Sequence, residues 1–384
     1  MDLKKSPLAG ILLVLTLLCT TGIVVSCKKA GDSGAQGKAA PRSWDNDEPD
    51  LILVSGANPL WFEFGDAGPE HIDGPLAASA PPYVPWPLSR HGAGLLAGEG
   101  ELTLAVNRSG LLVFRSQNET RLALYALVDG DYWSRFSIAA LFPYKERPAA
   151  LLYRDDFFSD AAGPLPEPRV FGVSREYPAL EALEIPAFSS LASAEGWDLE
   201  QLRLGNDQKW HFRGVQKNTE KGARNYYITS DLSAAPEPGS VGTFQNAGLP
   251  LGIDSAPEAL ARALTRLAAL SDKRSFLVAR ALSPLWPMPR HFALNVSPES
   301  PGAAEPVAWW DGSSAYAALP DGRGVYAGPD GSSGDFSLPP LPESYVYTGF
   351  AFLGTTLIAL WEEQDGLSVG AAGFMVVEGP APRE

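Results

Sequence analysis

Short apolar segments separated by turn-forming residues recur along most of the chain, and this pattern restricts the fold more than any other feature. The sequence contains 38 Gly and 34 Pro, which supply the tight turns that a many-stranded β protein needs. The clearest series is Glu101–Val106, Gly110–Arg115 and Arg121–Val128. Its close spacing predicts an antiparallel meander, so the chain is expected to be all-β.

Groups of about four such segments return at a period of roughly 50 residues, which is the spacing of propeller blades. The globular part therefore resembles β-propeller proteins, although no WD or kelch signature points to a specific family. We predict an irregular β-propeller of about six or seven blades. The alternative is a pair of β-sandwich domains with a boundary near residues 185–198.

Two further segments refine the propeller prediction. Leu51–Ser55 is expected to close the ring by pairing with Ser368–Val377, which would remove an exposed sheet edge. Val241–Phe244 is expected to be an edge strand.

One α-helix is predicted to interrupt the strands, over Pro257–Leu270. An early Pro and an early acid are typical of a helix start, and leucines then recur at helical spacing. The apolar side, with Leu264 at its centre, should pack on the sheets. Arg262 and Arg266 should face water.

The N-terminal segment combines a basic pair, Lys4-Lys5, with an apolar run from Leu8 to Val25. Basic, apolar and small residues in this order are typical of a secretory signal. The last four residues, Val24-Val25-Ser26-Cys27, resemble the lipobox of bacterial lipoproteins. The resemblance implies signal cleavage after Ser26 and lipid attachment to the thiol of Cys27. An uncleaved signal anchor and an ordinary cleaved signal are the alternatives, and all three place the chain outside the cytoplasm.

The lipobox reading divides the chain into a signal peptide over residues 1–26, a flexible tether over 27–50, a propeller-like domain over 51–378 and a tail over 379–384. The tether is rich in Gly, Ala and charge, so it has little apolar surface to bury. Lys28 follows the lipid site, where Asp retains some lipoproteins in the inner membrane. This slightly favours the outer membrane.

Charge and cysteine content exclude several classes of function. The net charge of −15 lacks the basic footprint that nucleic-acid binding requires, so no nucleic-acid partner is expected. The protein is also expected to be a monomer. The two cysteines, Cys19 and Cys27, both belong to the N-terminal segment. The globular part therefore forms no disulfide and offers no thiolate for catalysis or metal binding.

No constellation of residues predicts catalysis, a metal site or a cofactor. The four histidines, His71, His91, His211 and His291, are far apart in sequence and form no HExxH pattern. Residues 206–210 faintly resemble the Asp-box of sialidase-type propellers, which is a structural turn. Two acidic pairs, Asp155-Asp156 and Glu362-Glu363, end predicted strands. They could form a glycosidase or calcium site but are more typical of solvated strand ends.

Four tryptophans near predicted strand ends are the best candidates for binding: Trp133, Trp286, Trp309 and Trp310. Aromatic residues there could line a face for a protein or glycan partner, or could pack between blades. The favoured function is a non-enzymatic, membrane-anchored binding or scaffold protein of the cell envelope. The alternatives are a glycan- or peptidoglycan-directed hydrolase using acids such as Asp155 and Asp156, and an outer-membrane assembly factor.

Overall fold

The computed structural model describes residues 49–65, 68–74, 95–98, 100–106, 110–127, 137–144, 147–153, 169–174, 180–183, 197–205, 207, 209–216, 224–231, 237–247, 249–270, 277–286, 289–294, 305–365 and 368–379. The chain divides into two units, Met1–Ala40 and Pro41–Glu384, and every described residue belongs to the second. The predicted signal peptide, the lipid site and the C-terminal tail after residue 379 lie outside the described residues.

The described part of the chain is mostly β, as predicted. Its strands are β1 Asp50–Leu53, β2 Leu60–Gly65, β3 Gly68–Ile72, β4 Leu95–Gly98, β5 Glu101–Val106, β6 Gly110–Asn118, β7 Arg121–Leu127, β8 Ser137–Tyr144, β9 Arg147–Tyr153, β10 Arg169–Val173, β11 Leu180–Leu183, β12 Trp197–Leu204, β13 Trp210–Gln216, β14 Arg224–Ser230, β15 Glu237–Pro238, β16 Leu251–Gly252, β17 Leu277–Leu282, β18 Arg290–Leu294, β19 Val307–Trp310, β20 Ala315–Ala318, β21 Arg323–Ala327, β22 Ser333–Ser337, β23 Tyr345–Leu353, β24 Thr356–Asp365 and β25 Ser368–Glu378. The helices are α1 Val241–Ala247 and α2 Glu258–Leu270, with a 3₁₀ turn over Ile253–Ser255.

These strands form five sheets. In spatial order, sheet I is β1-β7-β6-β5-β4, sheet II is β11-β10-β9-β8 and sheet III is β12-β13-β14-β15. Sheet IV is β16-β18-β17-β19-β20-β21-β22 and sheet V is β23-β24-β25-β2-β3. The described sheets are fewer than the six or seven predicted, because β17 pairs in parallel with β19 and joins two predicted groups into sheet IV. Closure into a propeller ring stays a prediction.

Neighbouring sheets pack through aromatic side chains. Phe142 of sheet II meets Trp210 of sheet III with ring centroids 5.1 Å apart, across the boundary proposed for two sandwich domains. Sheet V is covered on both sides: Phe374 meets Phe114 of sheet I at 5.1 Å, and Phe352 meets Tyr316 of sheet IV at 4.7 Å. Sheet V therefore lies between two other sheets and carries the largest fully buried side chain, Trp361.

The predicted pairing of Leu51–Ser55 with Ser368–Val377 is wrong. β1 pairs with β7 instead, in a register that places Ile52 opposite Leu122 and buries Ile52. The N-terminal strand that joins the C-terminal sheet is β2, next to β25. Its Phe62 stacks on Phe374 at 4.7 Å, a large aromatic contact that β1 has no residue to make.

Helix α2 confirms the predicted helix to within one residue, and Leu260, Leu264 and Leu267 are fully buried. Arg262 and Arg266 are partly exposed to water, and both also contact the neighbouring hairpin. Arg262 donates to the carbonyl oxygen of Gly328, and Arg266 donates to the carboxylate of Asp335 at 2.7 Å. Their long side chains reach past the helix edge to the β21–β22 hairpin, so the polar side of α2 is also held.

The predicted edge strand Val241–Phe244 is a helix, α1. Ser240 and Thr243 form a reciprocal cap at its start: the Thr243 amide donates to the Ser240 hydroxyl at 3.1 Å, and the Ser240 amide donates to the Thr243 hydroxyl at 2.9 Å. Two otherwise unsatisfied donors are thereby paired, which favours the helix over a strand.

Gly373 of β25 occupies a position where a larger residue is not tolerated. A Cβ atom there would clash with the backbone carbonyl oxygen of Phe62 and lie 2.5 Å from Cζ2 of Trp361. We expect Gly373→Ala to lower the free energy of unfolding by about 1–3 kcal/mol or more, because backbone and a buried indole must shift. Gly252→Ala is the control, since its Cβ would meet nothing within 4 Å. Equal urea midpoints for the two variants would contradict this packing.

Candidate functional site

The site is built where two parallel strands end side by side. β17 and β19 are parallel neighbours, with Leu282 opposite Trp309, so the turns that follow them leave the same edge of sheet IV. One turn runs over residues 283–286 and the other over residues 311–314. Two segments some 25 residues apart in sequence are thus brought together by the parallel pairing.

The first turn presents an apolar side chain to solvent. Ser283 accepts the Leu285 amide on its hydroxyl at 3.1 Å and the Trp286 amide on its carbonyl oxygen at 3.3 Å. Pro284 supplies the fixed φ that the second position of such a turn prefers. Leu285 at the tip is 62% exposed, whereas Trp286 is buried.

The second turn is closed by a carboxylate. Asp311 Oδ1 accepts the amides of Ser313 and Ser314, each at 2.7 Å. Gly312 has a φ of +108°, a conformation that favours glycine, and its missing Cβ would lie 2.9 Å from Cδ1 of Leu285. The two turns are therefore in contact, with Leu285 lying over Gly312.

An aromatic and cationic cluster lies beneath these turns. The ring centroids of Trp286 and Trp310 are 5.3 Å apart, and the Arg290 guanidinium lies 4.7 Å from the centre of the Trp286 ring. The Arg290 Nε atom is buried and makes no hydrogen bond. We call Leu285, Trp286, Arg290, Trp310 and Gly312 the two-turn surface.

The structure separates the four predicted binding tryptophans. Trp286 and Trp310 meet in the two-turn surface. Of these two tryptophans, Trp310 is partly exposed and Trp286 is buried. Trp309 points to the other side of β19, where it is buried and its ring centroid lies 6.4 Å from that of Phe352 of sheet V. Consecutive strand residues face opposite sides, which separates Trp309 from Trp310. Trp133 lies outside the described residues.

A second cluster, which we call the glutamate cluster, lies in sheet V and consists of Glu63, Glu70, Glu363 and Tyr345. Glu63 lies directly opposite Glu70, and Tyr345 directly opposite Glu363. Burial, together with the charges of Glu70 and Glu363, raises the pKa of Glu63. Burial and the charges of Glu363 and Glu63 likewise raise the pKa of Tyr345.

The indole of Trp361 packs beside the glutamate cluster, with its ring centroid 5.6 Å from that of Tyr345. Its Nε1 atom is buried and makes no hydrogen bond. Of the two predicted acidic pairs, Asp155-Asp156 lies outside the described residues, whereas Glu363 belongs to this cluster. Within the described ranges, no group of three or more His, Cys, Asp or Glu residues is arranged to hold a metal ion.

Residues 52–381 match the model of DUF8086, a family of unknown function. This range includes the two-turn surface, the glutamate cluster and most of the chain. The chain belongs to the DUF8086 family.

A relative of this DUF8086 chain is an uncharacterized lipoprotein of Treponema pallidum, strain Nichols, which is 49% identical over 49 residues. The match covers 13% of this chain and spans only 11% of the relative's length.

Two solved structures are also similar. A luciferin-regenerating enzyme is 11% identical, over 87% of this chain and 98% of its own, with a TM-score of 0.22. BamB from Moraxella catarrhalis is 12% identical, over 74% of this chain and 84% of its own, with a TM-score of 0.25. Both TM-scores are too low to indicate a shared fold or function.

His211 and Asp207 of the DUF8086 chain, both candidate site residues from the sequence, contact each other at a turn. His211 is buried, and its Nε2 lies 3.1 Å from both carboxylate oxygens of Asp207, which also accepts the Lys209 amide on Oδ1 at 3.1 Å. This arrangement fits a turn-stabilising role for the residues that resemble an Asp-box. Among the described residues, no helix is long and apolar enough to span a bilayer. The apolar run Leu8–Val25 lies outside them.

The raised pKa of Glu63 predicts that the free energy of unfolding depends on pH. A carboxyl group whose pKa is higher in the folded than in the unfolded state favours folding at low pH, and this contribution is lost as the pH rises through the folded pKa. At pH 7 the ionised Glu63 faces Glu70, and like charges directly opposite destabilise a sheet. We expect Glu63→Gln to raise the free energy of unfolding by about 0.2–1 kcal/mol at pH 7.

The gain should shrink as the pH falls through the raised pKa of Glu63, because wild-type Glu63 is then neutral as well. Urea unfolding at several pH values measures it. Glu119→Gln, at an exposed turn position, is the control and should change stability little at any pH. A Glu63→Gln gain that persists unchanged at low pH would contradict the electrostatic explanation.

Proposed function

We propose that this chain is an exported lipoprotein, anchored to the bacterial membrane through Cys27 after cleavage at Ser26, whose β domain binds a partner in the cell envelope without catalysing a reaction. The outer membrane is the preferred location, and the domain acts as a monomer with a propeller-like stack of sheets. The lipobox-like segment and the lipoprotein relative support the anchor.

The observation that carries the binding function is the two-turn surface. A hydrogen-bonded turn holds Leu285 in solvent over Gly312, and the next residue, Trp286, contacts the partly exposed Trp310 and the stacked Arg290. Tryptophan and arginine are the residue types most enriched among those that dominate protein interfaces. An exposed apolar side chain alone would be ordinary, but one in a turn whose next residue contacts both a partly exposed tryptophan and an arginine is typical of a binding site.

Retention on envelope fractions tests this function. Full-length protein in detergent is mixed with detergent-solubilised outer-membrane or inner-membrane proteins immobilised on beads, or with peptidoglycan sacculi, and the bound fraction is measured. We expect Leu285→Ser to lose most of the retention, whereas Leu249→Ser should retain it, because Leu249 is exposed to a similar degree, 58%. Absence of retention on every fraction would overturn the binding function.

The glutamate cluster supports a second candidate, a hydrolase acting on glycans. A half-buried carboxyl group with a raised pKa beside another carboxylate is the arrangement that a general acid requires. In this candidate Glu63 is the acid and Glu363 the second carboxylate. Turnover of a chromogenic glycoside by wild type that is lost in Glu63→Gln would favour it, and no turnover across a glycoside panel would remove it.

A further inference from the structure

Arg290 forms no ion pair within the described residues, and the same holds for Arg203, which stacks on Phe244 but donates to the backbone carbonyl oxygens of Phe244 and Gln245. Arg115, Arg147, Arg262, Arg266 and Arg323 each form an ion pair with Asp or Glu at 2.6–2.8 Å. Arg290 instead stacks on Trp286, and its Nε makes no hydrogen bond. A stacked guanidinium is held in one plane, so its N–H groups are oriented in advance for a carboxylate.

The charge of the chain limits what this arginine can recognise. With a net charge of −15, the protein repels a polyanion as a whole. Repulsion between exposed charges is screened beyond about 8 Å at physiological ionic strength. Arg290 can therefore attract one or two carboxylates at contact distance, whereas a long acidic polymer would also be repelled by the negative charge of the chain as a whole.

The shape of the two-turn surface favours a peptide over a sugar. A sugar ring needs an open aromatic face to stack on, but Trp286 is only 7% exposed and its ring is already in contact with Arg290 and Trp310. Leu285 instead projects as an aliphatic side chain, which can insert between the apolar side chains of a peptide. An apolar contact beside a carboxylate contact is thus the pattern that these residues match.

We propose that the two-turn surface binds an extended peptide segment of an envelope protein that carries an acidic residue next to apolar ones. The carboxylate binds Arg290, and the apolar side chains pack on Leu285 and the exposed part of Trp310. This assignment rests on the proposed binding function and adds the chemical class of the partner.

Selection from a displayed library of random 12-residue peptides tests the assignment, with the detergent-solubilised full chain immobilised. We expect the enriched peptides to carry Asp or Glu flanked by Leu, Ile, Phe or Trp. Synthetic copies should bind Leu285→Ser and Arg290→Gln at least tenfold more weakly than wild type. The controls Leu249→Ser and Arg323→Gln, at exposed positions elsewhere, should bind as wild type does.

Arg290→Lys separates recognition from folding, because it keeps the positive charge but lacks the planar fork. It should also lose at least fivefold in peptide affinity while its melting temperature stays close to that of wild type. Enriched peptides without acidic residues, or equal affinity in Leu285→Ser and wild type, would overturn the peptide assignment. Binding to carboxylated or neutral oligosaccharides on an array, without peptide binding, would overturn it too.

These outcomes are distinguishable from failure of the proposed function. Retention on envelope fractions that depends on Leu285, without acidic peptides in the selection, keeps the binding function and rejects the peptide. Absence of retention on all fractions rejects the binding function itself.

Discussion

Replacing Leu264 by Ala is expected to lower the free energy of unfolding by about 2–5 kcal/mol. Leu264 is fully buried on α2, in a core cluster that includes Phe292, Ala317 and Val325 of sheet IV. Truncation removes its methyl groups from this cluster and leaves a cavity that the packed sheet can only partly fill. Chemical unfolding followed by circular dichroism measures the change.

Leu270→Ala provides a matched control for this prediction. Leu270 is the last residue of the same helix and is 36% exposed, so its truncation leaves no closed cavity. We expect it to cost well under half as much as Leu264→Ala. Similar losses for the two variants, or a negligible loss for Leu264→Ala, would show that α2 is loosely attached to sheet IV.

Local patterns in the sequence predict those elements whose signals are local. The meander of β5, β6 and β7 and the helix α2 each depend on periodicity and turn residues within a short stretch. Helix α1 is short and lacks an apolar periodicity, so its start is visible only in the reciprocal cap of Ser240 and Thr243. A Ser followed three residues later by Thr is a weak helix signal, so the sequence pattern alone does not distinguish this segment from a strand.

Pairings between distant segments could not be predicted in the same way. β1 and β2 both precede the first meander and both contain a run of three apolar residues, so their local pattern does not determine which of them joins the C-terminal sheet. The choice depends on the stacking of Phe62 on Phe374, which is a tertiary contact. The parallel pairing of β17 with β19 is equally non-local.

The candidate site was accessible to sequence reasoning only in part. Trp286 and Trp310 could be singled out because they follow strands beside turn residues, and they do meet. Leu285 and Arg290 have no distinguishing pattern of their own. Their importance comes from the parallel strand ends that bring the two turns together, and from the ion pair that Arg290 lacks. The glutamate cluster likewise joins residues from β2, β3, β23 and β24.

Replacing Cys27 by Ala is expected to abolish lipid attachment and the cleavage that depends on it. The thiol is the acceptor for the diacylglyceryl group in proteins with a lipobox, and Ala offers no nucleophile. Buried acyl carbons contribute about 0.8 kcal/mol per CH₂, so lipid chains hold the mature wild type on the membrane, whereas Cys27→Ala would keep only its uncleaved apolar run Leu8–Val25 as an anchor. The melting temperature should not change, because residues 28–49 separate Cys27 from the first strand of the β domain.

Incorporation of labelled palmitate, together with the mass of the mature N-terminus, tests the lipoprotein assignment most directly. Wild type should carry the label and begin at Cys27. Cys27→Ala should carry none and keep residues 1–26, and Cys19→Ala, which alters the other cysteine, should be labelled like wild type. An unlabelled wild type with its first 26 residues still attached, or equal label on wild type and Cys27→Ala, would contradict the assignment.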